Sequence, residues 1–294
     1  MTKEKQLDIK LLGDFEIAFG DRQVSRLETR KATSLFANLV LRPGQMISRD
    51  FLAETFWGGY GEKNARKALR TDLWRIKRLL ASLGADENEY LHCDKDNIGF
   101  NANAAFSVDV DIFQQTINPL LVATPEELTS QDARNLKNCA RLYRGDLLQN
   151  DDSDWCALQR QELRALFLHV LELLMGYHER RHEWDRAIAY GHTLIRMDSL
   201  LEHIHFALMR CFAEKADRST AIRYYQNLRS LLKNELGISP APEIHVFYQR
   251  LVQGRNTAHD PAKYRSRDPR NEVRSALSNI NTAAEILERL QLRL

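Results

Sequence analysis

The chain has 294 residues, enough for about two domains of ordinary size. With 44% hydrophobic and 28% charged residues, and only 13 Gly and 7 Pro, it is neither wholly disordered nor a low-complexity fibre. Lys+Arg number 42 against 40 Asp+Glu, so the net charge is only +2 and any charged partner must be sought in the local distribution.

Residues 6–25 alternate as strands do. Leu7, Ile9 and Leu11 share one face of a first run, and Phe15, Ile17 and Phe19 one face of a second. Gly13-Asp14 and Gly20-Asp21 supply the turns, and the pattern predicts a small antiparallel sheet of two or three strands. From Thr29 the period becomes helical. Ala32, Leu35, Phe36, Leu39 and Val40 form one stripe, which Pro43-Gly44 ends. Ser48 is placed to cap a short helix bearing Phe51, Leu52, Thr55 and Phe56. After the loop Gly58-Gly59-Tyr60-Gly61, a longer helix runs from about Asn64 to Leu83 and stops at Gly84. EYLHCDKDNIGF then predicts a hairpin around the polar turn Asp94-Lys95-Asp96-Asn97. Sheet, helix, helix, turn, helix, hairpin is the order of a winged helix-turn-helix.

Residues 101–131 connect, and SVDVDIFQQTI within them reads as a strand leading into a short helix. From about Ser130 to Gly254 the chain reads as helical almost throughout. HEWDRAIAYG and DRSTAIRYYQ set Ala187 and Ala221 34 residues apart, the tetratricopeptide period. A small Ala at each position would let the two helices of a hairpin approach closely. Residues 255–270 are polar and read as a linker with five basic residues. Val273, Leu277, Ile280, Ala284, Leu287, Gln291 and Leu294 then recur at 4-3 spacing, the seam of a coiled coil. That last helix would pair two copies into a homodimer, dock on its own helical domain or stay partly frayed. The fold expected is mainly α: a winged-helix DNA-binding domain over 1–105, a tetratricopeptide-like domain over 106–254, a linker over 255–270 and an amphipathic helix over 271–294.

The chemistry concentrates in NARKALRTDLWRIKRLL, residues 64–80. Leu69, Leu73, Ile76 and Leu80, with Ala65, lie on one face. The opposite face carries Arg66, Lys67, Arg70, Thr71, Trp74, Arg75, Lys77 and Arg78. From Glu62 to Arg78 there are seven positive and two negative side chains, a local charge of +5. Such a face neutralises phosphates, and its Arg side chains can pair bidentately with guanine edges in the major groove of double-stranded DNA. Arg30, Lys31 and Arg49 stand near the starts of the first two helices, where helix N-termini also attract phosphate. In the wing turn only Lys95 is basic, between Asp94 and Asp96, so the wing is expected to add little affinity. Trp57 and Trp155 read as core anchors; Trp74 either packs on the wing or faces DNA.

LLGDFEI, TRKATSLFANLVLRPGQMISRDFLAETFW and ARKALRTDLWRIKRLL resemble the winged-helix domain of the SARP family, the Streptomyces antibiotic regulatory protein-like transcriptional activators. SVDVDIF, LYRGDLLQNDDSDW, IRMDSLLEHIHFALMR and YYQNLRSLLKNELGISPAPEI resemble the bacterial transcriptional activation domain that follows in that family. The likeness covers residues 7–253. It implies sequence-specific binding to promoter DNA, often to direct repeats, and activation through contact with RNA polymerase holoenzyme. It also implies that Lys67, Thr71, Trp74 and Arg75 meet DNA, with Lys77 and Arg78 near phosphates. Two departures stand out: the wing lacks the Arg that related wings often carry, and the tetratricopeptide proline position holds Ser199. The alternative function is a tetratricopeptide regulatory module acting mainly by protein contact.

No P-loop, Gly-rich dinucleotide turn, G-x-S-x-G or metal-ligand spacing is present, so neither an enzyme, a cofactor nor a metal site is expected. Cys93, Cys139, Cys156 and Cys211 read as reduced thiols of a cytoplasmic protein. No run of about 18 apolar residues predicts a membrane helix, and no signal peptide is visible at the N-terminus.

Overall fold

The computed structural model describes residues 6–254. The expected linker (255–270) and C-terminal helix (271–294), and with them the homodimer assigned to that helix, lie outside the described residues. The chain forms two compact units. One takes residues up to Thr116 together with Arg141–Arg164; the other takes Ile117–Ala140 and the chain from Ala165 onward.

The first unit opens with β1 (Leu7–Lys10), β2 (Glu16–Phe19) and β3 (Arg22–Val24). They pair antiparallel, with Ile9 opposite Ile17 and Ile17 opposite Val24. The alternation read from the sequence is the one that buries: Leu7, Ile9, Leu11, Phe15 and Ile17 all face the core. Next come α1 (Arg30–Val40), β4 (Ile47–Ser48), α2 (Arg49–Trp57) and α3 (Glu62–Leu83). Gly84, at φ +84°, ends α3 in the left-handed conformation that glycine adopts without strain. A single-turn α4 (Glu87–Tyr90), β5 (Leu91–Cys93), β6 (Asn97–Phe100), β7 (Phe106–Val108) and α5 (Asp109–Ile117) follow. Phe36 of α1 anchors the core, edge-on to Phe15 and Phe100 with both ring centroids at 6.1 Å.

Two features differ from the sequence reading. Ser48 precedes α2, but its side chain makes no capping bond; Ser48 instead lies in β4, opposite Asn97 of β6. The wing sheet is therefore three-stranded, in the order β4-β6-β5. The N-terminal sheet is also larger than expected, because β7 joins it parallel to β1 to give the order β3-β2-β1-β7. Asp109, directly after β7, secures that pairing. Its buried carboxylate accepts the amide N–H groups of Leu11 at 2.8 Å and Leu12 at 3.0 Å. Burial pushes the pKa of Asp109 up, and those two amides pull against it.

β7 and most of α5 belong with the winged helix, and so does the segment Arg141–Arg164. Within this unit Leu148 N–H donates to Leu11 O at 2.9 Å, and Arg144 pairs with Glu16 at 2.6 Å. Trp155 Nε1 donates to the Ser34 hydroxyl at 2.5 Å. Gly13 makes the approach feasible: it sits at φ +98°, and a Cβ there would lie 3.2 Å from that of Arg144.

The second unit is helical. It takes in most of α6 (Ser130–Leu142) and, from Ala165, α7 (Ala157–Arg180). α8 (Trp184–Met197), α9 (Glu202–Glu214), α10 (Arg218–Leu236) and α11 (Pro242–Gln253) follow. The 34-residue repeat is structural. Ala187 on α8 and Ala221 on α10 are both fully buried. The preceding turns also match, with His182 at φ 57° and Ala216 at φ 60°, again 34 residues apart. Among the described residues no helix is long and apolar enough to cross a membrane. Because Ala187 and Ala221 are fully buried, Ala187→Leu and Ala221→Leu should each cost roughly 1–3 kcal/mol by overpacking. Thermal denaturation reads the loss; unchanged melting temperatures in both variants would show that the helices are not in close contact there.

Candidate nucleic-acid interface

α3 packs on α1 and α2 through the stripe its sequence marks out: Ala65, Leu69, Leu73, Ile76 and Leu80 are buried. One charged residue of α3 is buried as well. Asp72 is 4% exposed. The Thr29 hydroxyl donates to its carboxylate at 3.2 Å, and Arg75 Nη1 donates at 2.5 Å. Thr29 is itself the N-cap of α1, accepting the Ala32 N–H at 3.0 Å. One carboxylate thus ties the start of α1 to the middle of α3.

The cations of the opposite face fall into two groups. Arg66, Arg75 and Arg78 are held by acids. Arg66 grips Asp50 through two nitrogens, at 2.7 and 2.9 Å, and reaches Glu62 at 3.0 Å. Arg75 adds Glu28, bound through Nε at 3.1 Å, to its bond with Asp72. Asp72 in the first place raises the pKa of Arg75. Arg78 stands 3.7 Å from the other oxygen of Glu28 and lies over the Trp74 ring at 5.2 Å. Lys63, Lys67, Arg70 and Lys77 make no ion pair among the described residues. Lys67, Arg70, Thr71 and Trp74 are all exposed and, at i, i+3, i+4, i+7, form one stripe along the helix. Trp74 is 55% exposed, so of its two expected placements it takes the outward one.

Beside this stripe a cavity of about 380 Å³ opens, lined by Lys31, Trp57, Tyr60, Asn64, Lys67 and Thr71 among others. Lys31 projects into an aromatic setting: its Nζ donates to Phe56 O at 2.7 Å and lies 4.5 Å from the Tyr60 ring centre. Arg30, the first residue of α1, is exposed. Arg49, the first residue of α2, is half-buried. Its backbone N–H donates to Asp96 O at 2.8 Å and its Nε to Asp94 O at 3.2 Å, so it ties α2 to the wing turn. The Asp94 carboxylate accepts the N–H groups of Asp96 at 2.7 Å and Asn97 at 2.6 Å, which lowers its pKa. Lys95 stands exposed at the tip of that turn.

The sequence reading missed Asp72 and Glu28. Asp72 had a signal, since it sits three residues after Leu69 and directly before Leu73, an acid on the apolar side of a basic helix. Glu28 had none, because it meets Arg75 across 47 residues of chain.

The bacterial transcriptional activator domain family matches residues 108–252. Transcriptional regulatory protein MoaR1 of Mycobacterium tuberculosis is 25% identical over 261 residues, covering 86% of this chain and 81% of that protein. Regulatory protein AfsR of Streptomyces coelicolor is 22% identical over 249 residues, covering 83% of this chain but only 24% of its own length. Among solved structures, Mycobacterium tuberculosis EmbR in complex with a low affinity phosphopeptide superposes with a TM-score of 0.69 at 19% identity. That match spans 97% of this chain and 72% of the EmbR chain, and it shows a shared fold.

Removing the Asp72 carboxylate leaves the Thr29 hydroxyl and Arg75 without their common partner. Asp72→Ala should therefore destabilise the protein by about 1–3 kcal/mol, while Glu28→Ala, a solvent-exposed partner, should stay within about 0.5 kcal/mol of the parent. Denaturant titration distinguishes the two; equal losses would show that Asp72 is no more important to the packing of α3 than a surface ion pair.

Proposed function

The chain belongs to the SARP family of transcriptional regulators, and from that premise we propose that it binds double-stranded promoter DNA through the outer face of α3 and activates transcription by contacting RNA polymerase holoenzyme. The observation that carries the DNA reading is the exposed stripe Lys67, Arg70, Thr71 and Trp74, whose two cations no carboxylate of the described residues neutralises. The polymerase contact rests on the match to the activator-domain family alone. The proposed setting is the cytoplasm, and neither a cofactor nor a catalytic step enters the proposal.

Base readout divides between two arginines. A bidentate pair with guanine O6 and N7 needs two N–H groups from one guanidinium. Arg75 already commits its Nε–H to Glu28 and one Nη1–H to Asp72, which leaves three of its five N–H groups but fixes the orientation of the guanidinium. Arg75 therefore positions the surface, and any base contact it makes is oriented by the two acids that hold it. Arg70 has its whole guanidinium to offer and is the better bidentate reader. Lys67, with Lys31 at the rim of the neighbouring cavity, meets the phosphate backbone; Arg30, Lys77 and Lys95 add further phosphate contacts from the surrounding surface. Arg66 and Arg78 reach phosphate only by exchanging it for Asp50, Glu62 or Glu28.

Binding measured against salt on a promoter duplex tests these roles. Arg70→Ala should cost about 1–3 kcal/mol and relax preference at one base position. Lys67→Ala should weaken binding to all sequences alike and reduce the salt slope by about one charge. Lys95→Ala should do no more than that. Glu28→Gln, which removes the charge holding Arg78 and Arg75 Nε, should tighten binding by up to about 1 kcal/mol. Arg70→Ala and Lys67→Ala proteins that bind with parental affinity, sequence preference and slope would remove α3 as the reading element.

A further inference from the structure

The two 34-residue repeats of the helical unit share one turn geometry and fill it with different side chains. In the second repeat Phe212, on α9, stacks on Tyr224 of α10 with ring centroids 5.3 Å apart, and its carbonyl accepts the Asp217 N–H at 2.9 Å. The Asp217 carboxylate caps α10 by accepting the Thr220 N–H at 3.1 Å. The residues 34 positions earlier are His178, Tyr190 and Glu183. His178, on α7, stacks on Tyr190 of α8 at 5.6 Å, and its carbonyl accepts the Glu183 N–H at 3.0 Å. Ring pair and backbone bond are therefore repeated, but a titratable ring stands where the second repeat has phenylalanine.

The acid of the turn has changed its task as well. Glu183 makes no capping bond to α8. Its carboxylate accepts from His178 Nδ1 at 2.8 Å, from Arg186 Nη1 at 2.6 Å and from Arg181 Nε at 3.3 Å. The His178 bond and the two guanidiniums hold the Glu183 carboxyl down at about 2, so it stays ionised wherever histidine titrates. One carboxylate thus already answers two cations before His178 takes up any charge.

The His178 side chain is only 10% exposed. Tyr190 covers one face of its ring, and Tyr177 of α7 lies edge-on to it at 5.3 Å. Arg186 of α8 and Lys137 of α6 act on it as like charges, against Glu183. Burial lowers the pKa of His178 by more than Glu183 raises it. The folded ring is therefore neutral, with Nδ1–H donating to Glu183.

We propose that the turn between α7 and α8 is an acid-sensitive joint: protonation of His178 places a cation in a buried ring stack beside Arg186 and Lys137 and loosens the first repeat, while the matching turn at Phe212 has nothing to protonate. The sign follows from linkage. In the unfolded chain the imidazole titrates near 6.5, about its ordinary value, and in the folded chain lower. The stability contributed by neutral His178 is complete above that pH and is lost as the pH falls below it. None of these residues belongs to the α3 surface, so the inference stands apart from the DNA reading.

The test uses the full chain without DNA. In the NMR spectrum of histidine-labelled protein, the His178 ring is identified by its absence from His178→Phe, and it should titrate below about 6.5. Melting temperatures taken from about pH 7.5 to 5.5 should fall in the parent, and in His178→Phe should fall by at least about 2 °C less. The variant keeps a residual fall, because burial also lowers the pKa values of His169, His192 and His205. His203→Gln, at an exposed histidine, should keep the parental dependence. A His178 ring that titrates at or above the ordinary histidine value, or a His178→Phe protein whose melting temperature falls with pH as far as the parent's, overturns the proposal.

Discussion

A buried carboxylate sets the geometry of the winged-helix unit. Asp72 points from α3 into the packed side of the domain, where an unpaired charge would be heavily penalised. Two partners meet that demand: the Thr29 hydroxyl, which also caps α1, and the Arg75 guanidinium from one turn further along α3. The Thr29 contact forms only if α1 and α3 hold one mutual position. The apolar stripe Leu69, Leu73, Ile76 and Leu80 says which side of α3 goes in, and the polar contact says where along α1 it sits. With the inner side pinned at two kinds of contact, the outer side presents Lys67, Arg70, Thr71 and Trp74 as a fixed row.

The same economy governs the charge. A chain of net +2 cannot attract DNA by overall charge, so the basic residues have to be concentrated and kept from repelling one another. Glu28, Asp50 and Glu62 do this at the margins of α3, where they hold three of its arginines. The central cations are left without such partners. The result is a surface whose middle is ready for an anion and whose edges would have to give up an internal partner first. Such pairs favour partners that bring enough phosphate, in the right places, to compete.

Local pattern carried most of the fold in the sequence. Alternation marked β1 and β2, the 3.6 period marked α1 and α3, and Gly84 marked where α3 ends. The spacing of Ala187 and Ala221 marked the helical repeat, although the left-handed turns at His182 and Ala216 carried no sign because neither residue is glycine. What stayed hidden was non-local. β7 pairs with β1 across about a hundred residues, and the amide acceptor that secures it, Asp109, reads in isolation as an ordinary polar residue before a short helix. The candidate site divides the same way. The basic face was legible from composition and period, whereas two of the acids that disarm part of it, Glu28 and Asp50, come from other segments of the chain. Arg75 shows the consequence: from the sequence it was one of the four residues expected to meet DNA, and in the structure two of its five N–H groups are already bound to acids.

Trp74 offers the most direct test of the account. It stands in the exposed row, between Arg70 and Arg78, while Trp57 is buried in the core of the same unit. Hydroxyl-radical oxidation of the full chain, read residue by residue with mass spectrometry, can follow both side chains with and without a saturating promoter duplex. The account predicts that Trp74 is oxidised readily in the free protein and is strongly protected in the complex, while Trp57 stays unreactive in both. An oxidation rate for Trp74 that does not change when the DNA is fully bound would contradict it, and would place the DNA-binding surface elsewhere than on α3.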